Sequence, residues 1–519
     1  MVSWLTRRRY YTLSMAMLVL VAAVYLGRLG MQGNLGFPLD DAWIHQTYAR
    51  NLALHHQFAY LPGTLSAGST APLWTVLLAP AYWMGIDPLV WSYTAGLVLL
   101  FFLGLGVFCL AERLFPGRST HAALAGLVVV LEWHMAWAAL SGMETILFSC
   151  GVVWLLERYV AWETVQRREE GRSAHPFQAP FVLGVMGGAL VWVRPEGLLL
   201  VALLALAGVL VRWRRSWRLT FGIAVDVAAG MAMLLIPYIV FNLMTGGTLF
   251  PNTFYAKQAE YVELFQVPLW TRLWNVFRPT IVGAQVLLLP GVGYVLWQVL
   301  RRKRGALITP YLSRYTLLVP FLWWALTLLV YALRLPVDYQ HGRYVMPTIP
   351  VMVLLGVSGT LAWVRPRARR LWVRVIGRAV PWTVFLLLAL FLVLGGQAFA
   401  TDVGIINGEM VAVAHWLNEY TPVDAVIAAH DIGAIGYFAR RPLLDMAGLV
   451  TPDVIPFIRD EPRLLRFLIE QEADYLVTFP SWYPAITADE RLVKVFETDC
   501  ALTRQQGSDN MAVYQVRRE

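Results

Sequence analysis

Arg7-Arg8-Arg9-Tyr10-Tyr11-Thr12-Leu13-Ser14-Met15-Ala16-Met17-Leu18-Val19-Leu20-Val21-Ala22-Ala23-Val24-Tyr25-Leu26-Gly27-Arg28 sets three arginines ahead of an apolar run, and no convincing small-residue cleavage site follows. The run is long enough to cross about 30 Å of hydrocarbon as a helix. Its arginine flank holds the N-terminus on the cytoplasmic side, so the segment reads as a first membrane span and not as a removed signal peptide. Ten more apolar runs follow, near residues 88–111, 119–139, 143–161, 179–194, 196–211, 220–243, 279–300, 312–334, 345–364 and 379–398. Threading them alternately puts the loops with Arg113/Arg118, Arg167/Arg168/Arg172, Arg212 to Arg218, Arg301 to Arg304 and Arg365 to Arg378 on the cytoplasmic side, as the positive-inside rule requires. The parity holds only if Ser69 to Met84 does not cross; that stretch is short for a span and is placed as a juxtamembrane helix on the outer face.

Composition agrees with roughly eleven spans. Of 519 residues, 58% are hydrophobic and 14% charged, against about 25% charged in a soluble domain. The net charge of +9 does not point to nucleic acid, because the basic residues cluster in short runs between apolar stretches. Residues 1–398 carry 32 Lys+Arg against 15 Asp+Glu, a balance of +17, and residues 399–519 carry 10 against 18, a balance of −8. Two domains in two environments are implied: 1–398 in the membrane and 399–519 outside the cytoplasm. Three cysteines suggest no disulfide framework or zinc site. In the tail, alternation over Ala425 to Ala429, Leu443 to Met446, Tyr475 to Phe479, Val493 to Phe496 and Ala512 to Val516 reads as strands. Helices are expected near Glu409 to Tyr420 and Pro462 to Gln471. The fold class is therefore mainly α, a polytopic helical domain with a small C-terminal α/β domain.

Ionisable groups at the edge of hydrocarbon are costly and mark function, so the outer loops hold the candidate chemistry. The first of them reads Phe37-Pro38-Leu39-Asp40-Asp41-Ala42-Trp43-Ile44-His45, with apolar spacing after Asp41 that suits an amphipathic helix. One Asp there is ordinarily an N-cap. Two adjacent carboxylates repel each other, and only one can cap, so the second is a candidate base able to take a hydroxyl proton. Arg194-Pro195-Glu196 and Gly142-Met143-Glu144 form short outer turns, each also readable as snorkelling or a capped helix start. Leu249-Phe250-Pro251-Asn252-Thr253-Phe254-Tyr255-Ala256-Lys257 carries a single basic residue among aromatic and apolar ones. Asp338-Tyr339-Gln340-His341-Gly342-Arg343-Tyr344 packs an acid, a His and an Arg into one short loop, too dense for membrane anchoring alone.

Together, Asp40-Asp41 after the first span, Ala71-Pro72-Leu73-Trp74 and Arg194-Pro195-Glu196-Gly197 resemble motifs of the polytopic GT-C glycosyltransferases, in the same order. Pro251-Asn252-Thr253 to Lys257, His341-Gly342-Arg343, Asp431-Ile432-Gly433-Ala434-Ile435-Gly436-Tyr437 and Asp445-Met446-Ala447-Gly448-Leu449 are similar to the branch that includes the mycobacterial terminal arabinofuranosyltransferase. The resemblance implies transfer of a sugar from a polyprenyl phosphate at the outer face of the plasma membrane, with inversion, one first-loop carboxylate serving as base. That role maps onto Asp40 or Asp41, and the resemblance does not choose between them.

Such chemistry needs cations for the departing phosphate, a carboxylate for the acceptor proton and a dry cavity. Lys257 and Arg343 are the leading phosphate ligands, with His341 and Arg194 behind them, and Glu144, Glu196, Asn252, Tyr255 and Asp338 are candidates for substrate contacts. The partners expected are the lipid-linked donor, a glycan, lipid or protein acceptor, and membrane lipid. No cofactor is expected: the adjacent acids Asp40 and Asp41 could take a divalent cation, but without further spaced ligands nothing in the sequence supports one. The rival reading is a transporter or flippase of a lipid-linked sugar or other solute, because Glu132 and Asp226 fall inside apolar runs. Against it, the polar motifs gather on one face and no matching halves are evident.

Overall fold

The computed structural model describes residues 4–66, 68–168, 178–213, 216–301, 307–364 and 369–517. Arg172, Arg214, Arg215, Arg302, Lys303, Arg304, Arg365 and Arg367 of the basic loops lie outside the described residues. Among the described residues seven helices are long and apolar enough to cross a membrane: Arg7–Gln32, Pro88–Leu114, Thr145–Arg167, Trp217–Gly246, Arg314–Arg334, Tyr339–Trp363 and Leu371–Tyr420. Two bent pairs meet the same test together, and two shorter apolar helices, Ala179–Val193 and Gly197–Arg212, complete the bundle. All coincide with the eleven apolar runs. The most apolar part of Trp217–Gly246 is only 11% buried by protein, so its hydrophobic surface faces outward on most sides, as a lipid solvent demands. Small residues bring this helix against its neighbour: a Cβ at Gly184 would collide with the Val227 carbonyl, and one at Gly230 with that of Phe181.

Two runs expected to be straight are broken. Ser119–Leu131 and Trp133–Leu140 meet at 53°, because Glu132 is extended and its carboxylate caps the second helix by accepting the Met135 N–H at 3.0 Å. Residues 279–300 do not form one helix: Leu269–Ile281 and Ala284–Arg301 meet at 96°. Pro279 and Gly283, the latter at φ +120°, make the corner, a conformation only glycine takes without strain. Ser69 to Met84 forms the short helices Pro72–Leu78 and Pro80–Met84, each too short to cross.

The helix expected over Glu409 to Tyr420 is no separate element. Leu371–Ile406 passes through a π turn, Asn407–Val411, into Ala412–Tyr420. The turn presents the fully buried Glu409, which accepts from Asn510 Nδ2 at 2.7 Å and Met511 N at 2.9 Å and so pins the sheet to the last span. The five expected strands are present as β1 (Ile427–Ala429), β2 (Leu443–Asp445), β3 (Tyr475–Thr478), β4 (Leu492–Glu497) and β5 (Ala512–Val516), in the order β2-β1-β3-β5-β4. β1 runs parallel to β2 and β3, whereas β5 is antiparallel to β3 and β4. The segment after β1, residues 430–439, reaches down to the membrane domain.

Candidate active site

Loops at one end of the bundle converge on a cavity of about 340 Å³. Its polar wall includes Asp41, Glu144, Arg194, Glu196, Lys257 and Arg343, and its apolar wall Leu198, Leu199, Phe250, Phe254, Val330 and Leu335. Residues separated by up to 302 positions thus meet at one end of the bundle.

The acid pair is divided between two tasks. Helix Asp41–His55 is buried on nearly every side, not amphipathic, because residues 430–439 cover the face that would otherwise meet water. Trp43 packs on the rings of Tyr437 and Phe438 at 4.9 and 4.7 Å. Neither acid caps this helix: Asp40 is itself in helical conformation and makes no cap bond. Instead its carboxylate accepts the Gly433 N–H at 2.6 Å and the Ala434 N–H at 2.8 Å. A Cβ at Gly433 would collide with the Asp40 carbonyl oxygen, so glycine is what lets the loop approach. Burial, with Asp431 beside it, pushes Asp40 up to about 8, against the pull of the two amides. Asp40 does not line the cavity; Asp41 does.

Asp41 Oδ2 takes a hydrogen bond from Arg343 Nη2 and lies 3.5 Å from Lys257 Nζ. Tyr344 completes the cluster, its hydroxyl accepting from Lys257 Nζ at 2.8 Å and Arg343 Nη2 at 3.0 Å. Burial disfavours the Asp41 charge, but Lys257 and Arg343 outweigh it and hold the carboxyl well below its usual range. Burial likewise opposes the Lys257 charge, and Asp41 more than restores it. Lys257 projects from helix Asn252–Glu260. Arg343 follows three residues at positive φ, Gln340, His341 and Gly342 at 53°, 57° and 70°, a costly run for two non-glycine residues. His341 is fixed there by Asp402 Oδ2 at 2.8 Å and by the edges of Trp133 and Trp137.

Beside this cluster lies a second one of mixed charge. Glu144 Oε2 faces His45 Nε2 at 3.4 Å and its Oε1 faces Arg194 Nε at 3.5 Å. Arg194 Nε is 3.8 Å from Glu196 Oε2, and Tyr331 donates to the other Glu196 oxygen. Burial raises Glu144, yet His45 and Arg194 bring it down to about 2.

Of the remaining candidates, Asp338 pairs with Arg278 at the surface, and Asn252 and Tyr255 sit in the first turn of the Lys257 helix outside the cavity lining. His341 holds the Arg343 loop and does not line the cavity. Glu132 is enclosed by His134 Nδ1 at 2.7 Å, Gln285 Nε2 at 2.5 Å and its cap. The sequence reading passed over His45, Tyr331 and Tyr344. His45 had a signal, standing four residues after Asp41 on the same helical face, and Tyr344 adjoins Arg343; Tyr331 lies in an apolar span and had none. Among the described residues no group of three or more His, Cys, Asp or Glu side chains is placed to hold a metal ion.

The whole architecture aligns with that of ArnT from Cupriavidus metallidurans bound to undecaprenyl phosphate, at a TM-score of 0.61 and 14% identity, over 96% of this chain and 97% of that one. The archaeal oligosaccharyltransferase AglB from Archaeoglobus fulgidus, in complex with an inhibitory peptide and a dolichol-phosphate, aligns at a TM-score of 0.60 and 12% identity over 92% of this chain and 70% of that one. The chain shares the fold of these two proteins. At such identities the likeness establishes architecture alone. Residues 402–514 match a family model described as a domain of unknown function (DUF8728), which covers the C-terminal domain and the end of the last span. No curated protein is detectably similar in sequence.

Proposed function

We propose that the protein is a membrane glycosyltransferase that moves a sugar from a polyprenyl-phosphate donor to an acceptor hydroxyl on the extracytoplasmic face, with Asp41 as general base. The observation that carries the reading is the meeting of Asp41 with Lys257 and Arg343 in a cavity whose other wall is apolar. Two cations serve the phosphate and the apolar wall the prenyl chain. Asp41 removes the acceptor O–H proton as the acceptor oxygen attacks the anomeric carbon from the side opposite the phosphate. The bond from that carbon to the phosphate oxygen breaks, its electrons stay on the phosphate, and the configuration inverts. Lys257 and Arg343 neutralise the charge that develops there.

The choice of Asp41 over Asp40 is supported by the geometry of Asp40, which spends both oxygens on backbone amides outside the cavity lining. A carboxyl held well below its usual range is a weak base. The same two cations depress Asp41 and would bind the donor phosphate, whose negative charge offsets theirs and raises the basicity of Asp41 when it is needed. A bound polyprenyl phosphate in ArnT and a dolichol-phosphate in AglB support the donor class. The branch resemblance makes a pentofuranose the first sugar to test.

The test is transfer by purified protein in detergent, using radiolabelled sugars on polyprenyl phosphate, run beside solute uptake in vesicles. Sugar transfer without uptake is expected; uptake without transfer would establish a transporter.

A further inference from the structure

We propose that His45, Glu144, Arg194 and Glu196 form the subsite for the glycosyl ring of the donor, and that this subsite selects a neutral sugar over an acidic one. The inference rests on the donor reading above and deepens it. Fully buried charged groups that serve only the fold close on one another at about 2.7–2.9 Å. Here the contacts stand open at 3.4, 3.5 and 3.8 Å, although His45, Glu144 and Arg194 are each about 95% buried. His45 Nδ1, Arg194 Nη1 and Glu196 Oε2 have no hydrogen-bond partner among the described residues. Buried polar atoms are ordinarily satisfied, so these point to a ligand.

An unmet donor, Arg194 Nη1, stands with unmet acceptors, Glu196 Oε2 and, in the tautomer that donates Nε2–H to Glu144, His45 Nδ1, and together they define its chemistry. A hydroxyl both donates and accepts, and a sugar ring carries several at this spacing. A phosphate or carboxylate only accepts, and would leave Glu196 unpaired. With two carboxylates against one guanidinium, the subsite also repels a uronic acid.

Its position fits the ring attached to the phosphate. Arg194 lies over the Tyr344 ring, 5.3 Å from its centroid, and the hydroxyl of that Tyr joins Lys257 to Arg343. The two clusters are therefore one aromatic ring apart, as an anomeric centre and its phosphate require. His45, one helical turn beyond Asp41, places the subsite beside the base.

The experiment measures binding to the purified full chain of four lipids: a polyprenyl monophosphate without sugar, and the same lipid phosphate carrying a neutral pentose, a neutral hexose or a uronic acid. Wild type should bind one of the neutral glycolipids at least ten-fold more tightly than the bare phosphate and than the uronic acid form. Glu196→Gln and Arg194→Lys should abolish that preference and leave affinity for bare lipid phosphate within about two-fold, which also reports that they fold. Equal wild-type affinity for all four lipids overturns the subsite while leaving the donor reading intact, whereas binding of none overturns the donor reading itself. Loss of bare-phosphate affinity in folded Arg194→Lys makes Arg194 a phosphate ligand and overturns the assignment. If the variants do not fold, the wild-type preference decides alone. A free methyl glycoside that occupies the subsite alongside bound glycolipid, without competing with it, would assign the cluster to the acceptor and overturn the proposal.

Discussion

The carboxylates of Asp40 and Asp41 serve opposite halves of the molecule: Asp40 receives the Gly433 and Ala434 amides of the C-terminal domain, and Asp41 meets Lys257 and Arg343 of the membrane domain. The peptide bond between them joins the module over residues 402–514 to the cavity. Asp40 thus anchors the turn on which Asp41 is carried.

Different consequences follow for the two Asn variants. Asp41→Asn keeps the size but removes the proton acceptor, so turnover should fall about 10²-fold or more with thermal stability in detergent nearly unchanged. Asp40→Asn retains one acceptor oxygen and sets an NH₂ against the other amide, costing about 1–3 kcal/mol in stability. Transfer assays and melting curves on both variants check this. Wild-type turnover in Asp41→Asn would place the base elsewhere, with Glu144 and Glu196 next in line.

A second contact between the halves should respond to pH. His430 Nε2 lies 3.4 Å from Glu260 Oε1, one turn past Lys257, and its Nδ1 is 3.2 Å from Asp431 Oδ1. Burial works against the imidazolium, but Tyr483, Asp431 and Glu260 outweigh it and raise His430 well above its usual range. A raised folded-state value means that the contribution is complete below the ordinary His value of about 6.5 and is lost as pH rises through the folded one. Asp40, pushed up to about 8, adds to the same decline. His430→Gln should therefore lower the melting temperature at pH 6 more than at pH 9. An equal loss at both would mean that His430 is neutral in the folded protein.

Much of this architecture was legible because its signals are local. Apolar length and period-two alternation located the apolar helices and all five strands, the strands with bounds within two residues. Glu132 and the corner at Pro279 and Gly283 were misread because a broken helix and a straight one have the same hydropathy. The division of labour between Asp40 and Asp41 was beyond reach, since it depends on Gly433, 393 residues from Asp40, and no local pattern encodes so distant a contact. Tyr331 was hidden for a related reason: one hydroxyl in an apolar span looks like an interface anchor until Glu196 is seen against it.

We further propose that the face bearing the cavity lies outside the cytoplasm, which the distribution of arginines supports. A cysteine at Ser508, an exposed position between β4 and β5, should then react with an impermeant thiol reagent on intact cells. Labelling only after lysis would invert the topology and place the donor on the cytoplasmic leaflet.

The division between the cations gives the last expectation. Arg343 is 4% exposed and engages Asp41 and Tyr344 through one nitrogen, Nη2, while its Nε and Nη1 have no partner among the described residues. Those two N–H groups stay free to donate to a phosphate in fixed directions while Nη2 keeps Asp41 and Tyr344, which an ammonium cannot reproduce. Lys257 acts as a point charge, already tied to the Tyr344 hydroxyl. Arg343→Lys should thus weaken binding of a bare polyprenyl phosphate about ten-fold or more even though charge is kept, the loss of one to two charge-assisted hydrogen bonds. Lys257→Arg, which keeps a charge at the same place, should be milder, and Lys257→Ala severe. Direct binding of the radiolabelled lipid phosphate measures all three without any knowledge of the sugar. Unchanged affinity in both Arg343→Lys and Lys257→Ala would remove the phosphate from this cluster, and with it the argument that donor binding frees Asp41 to act as base.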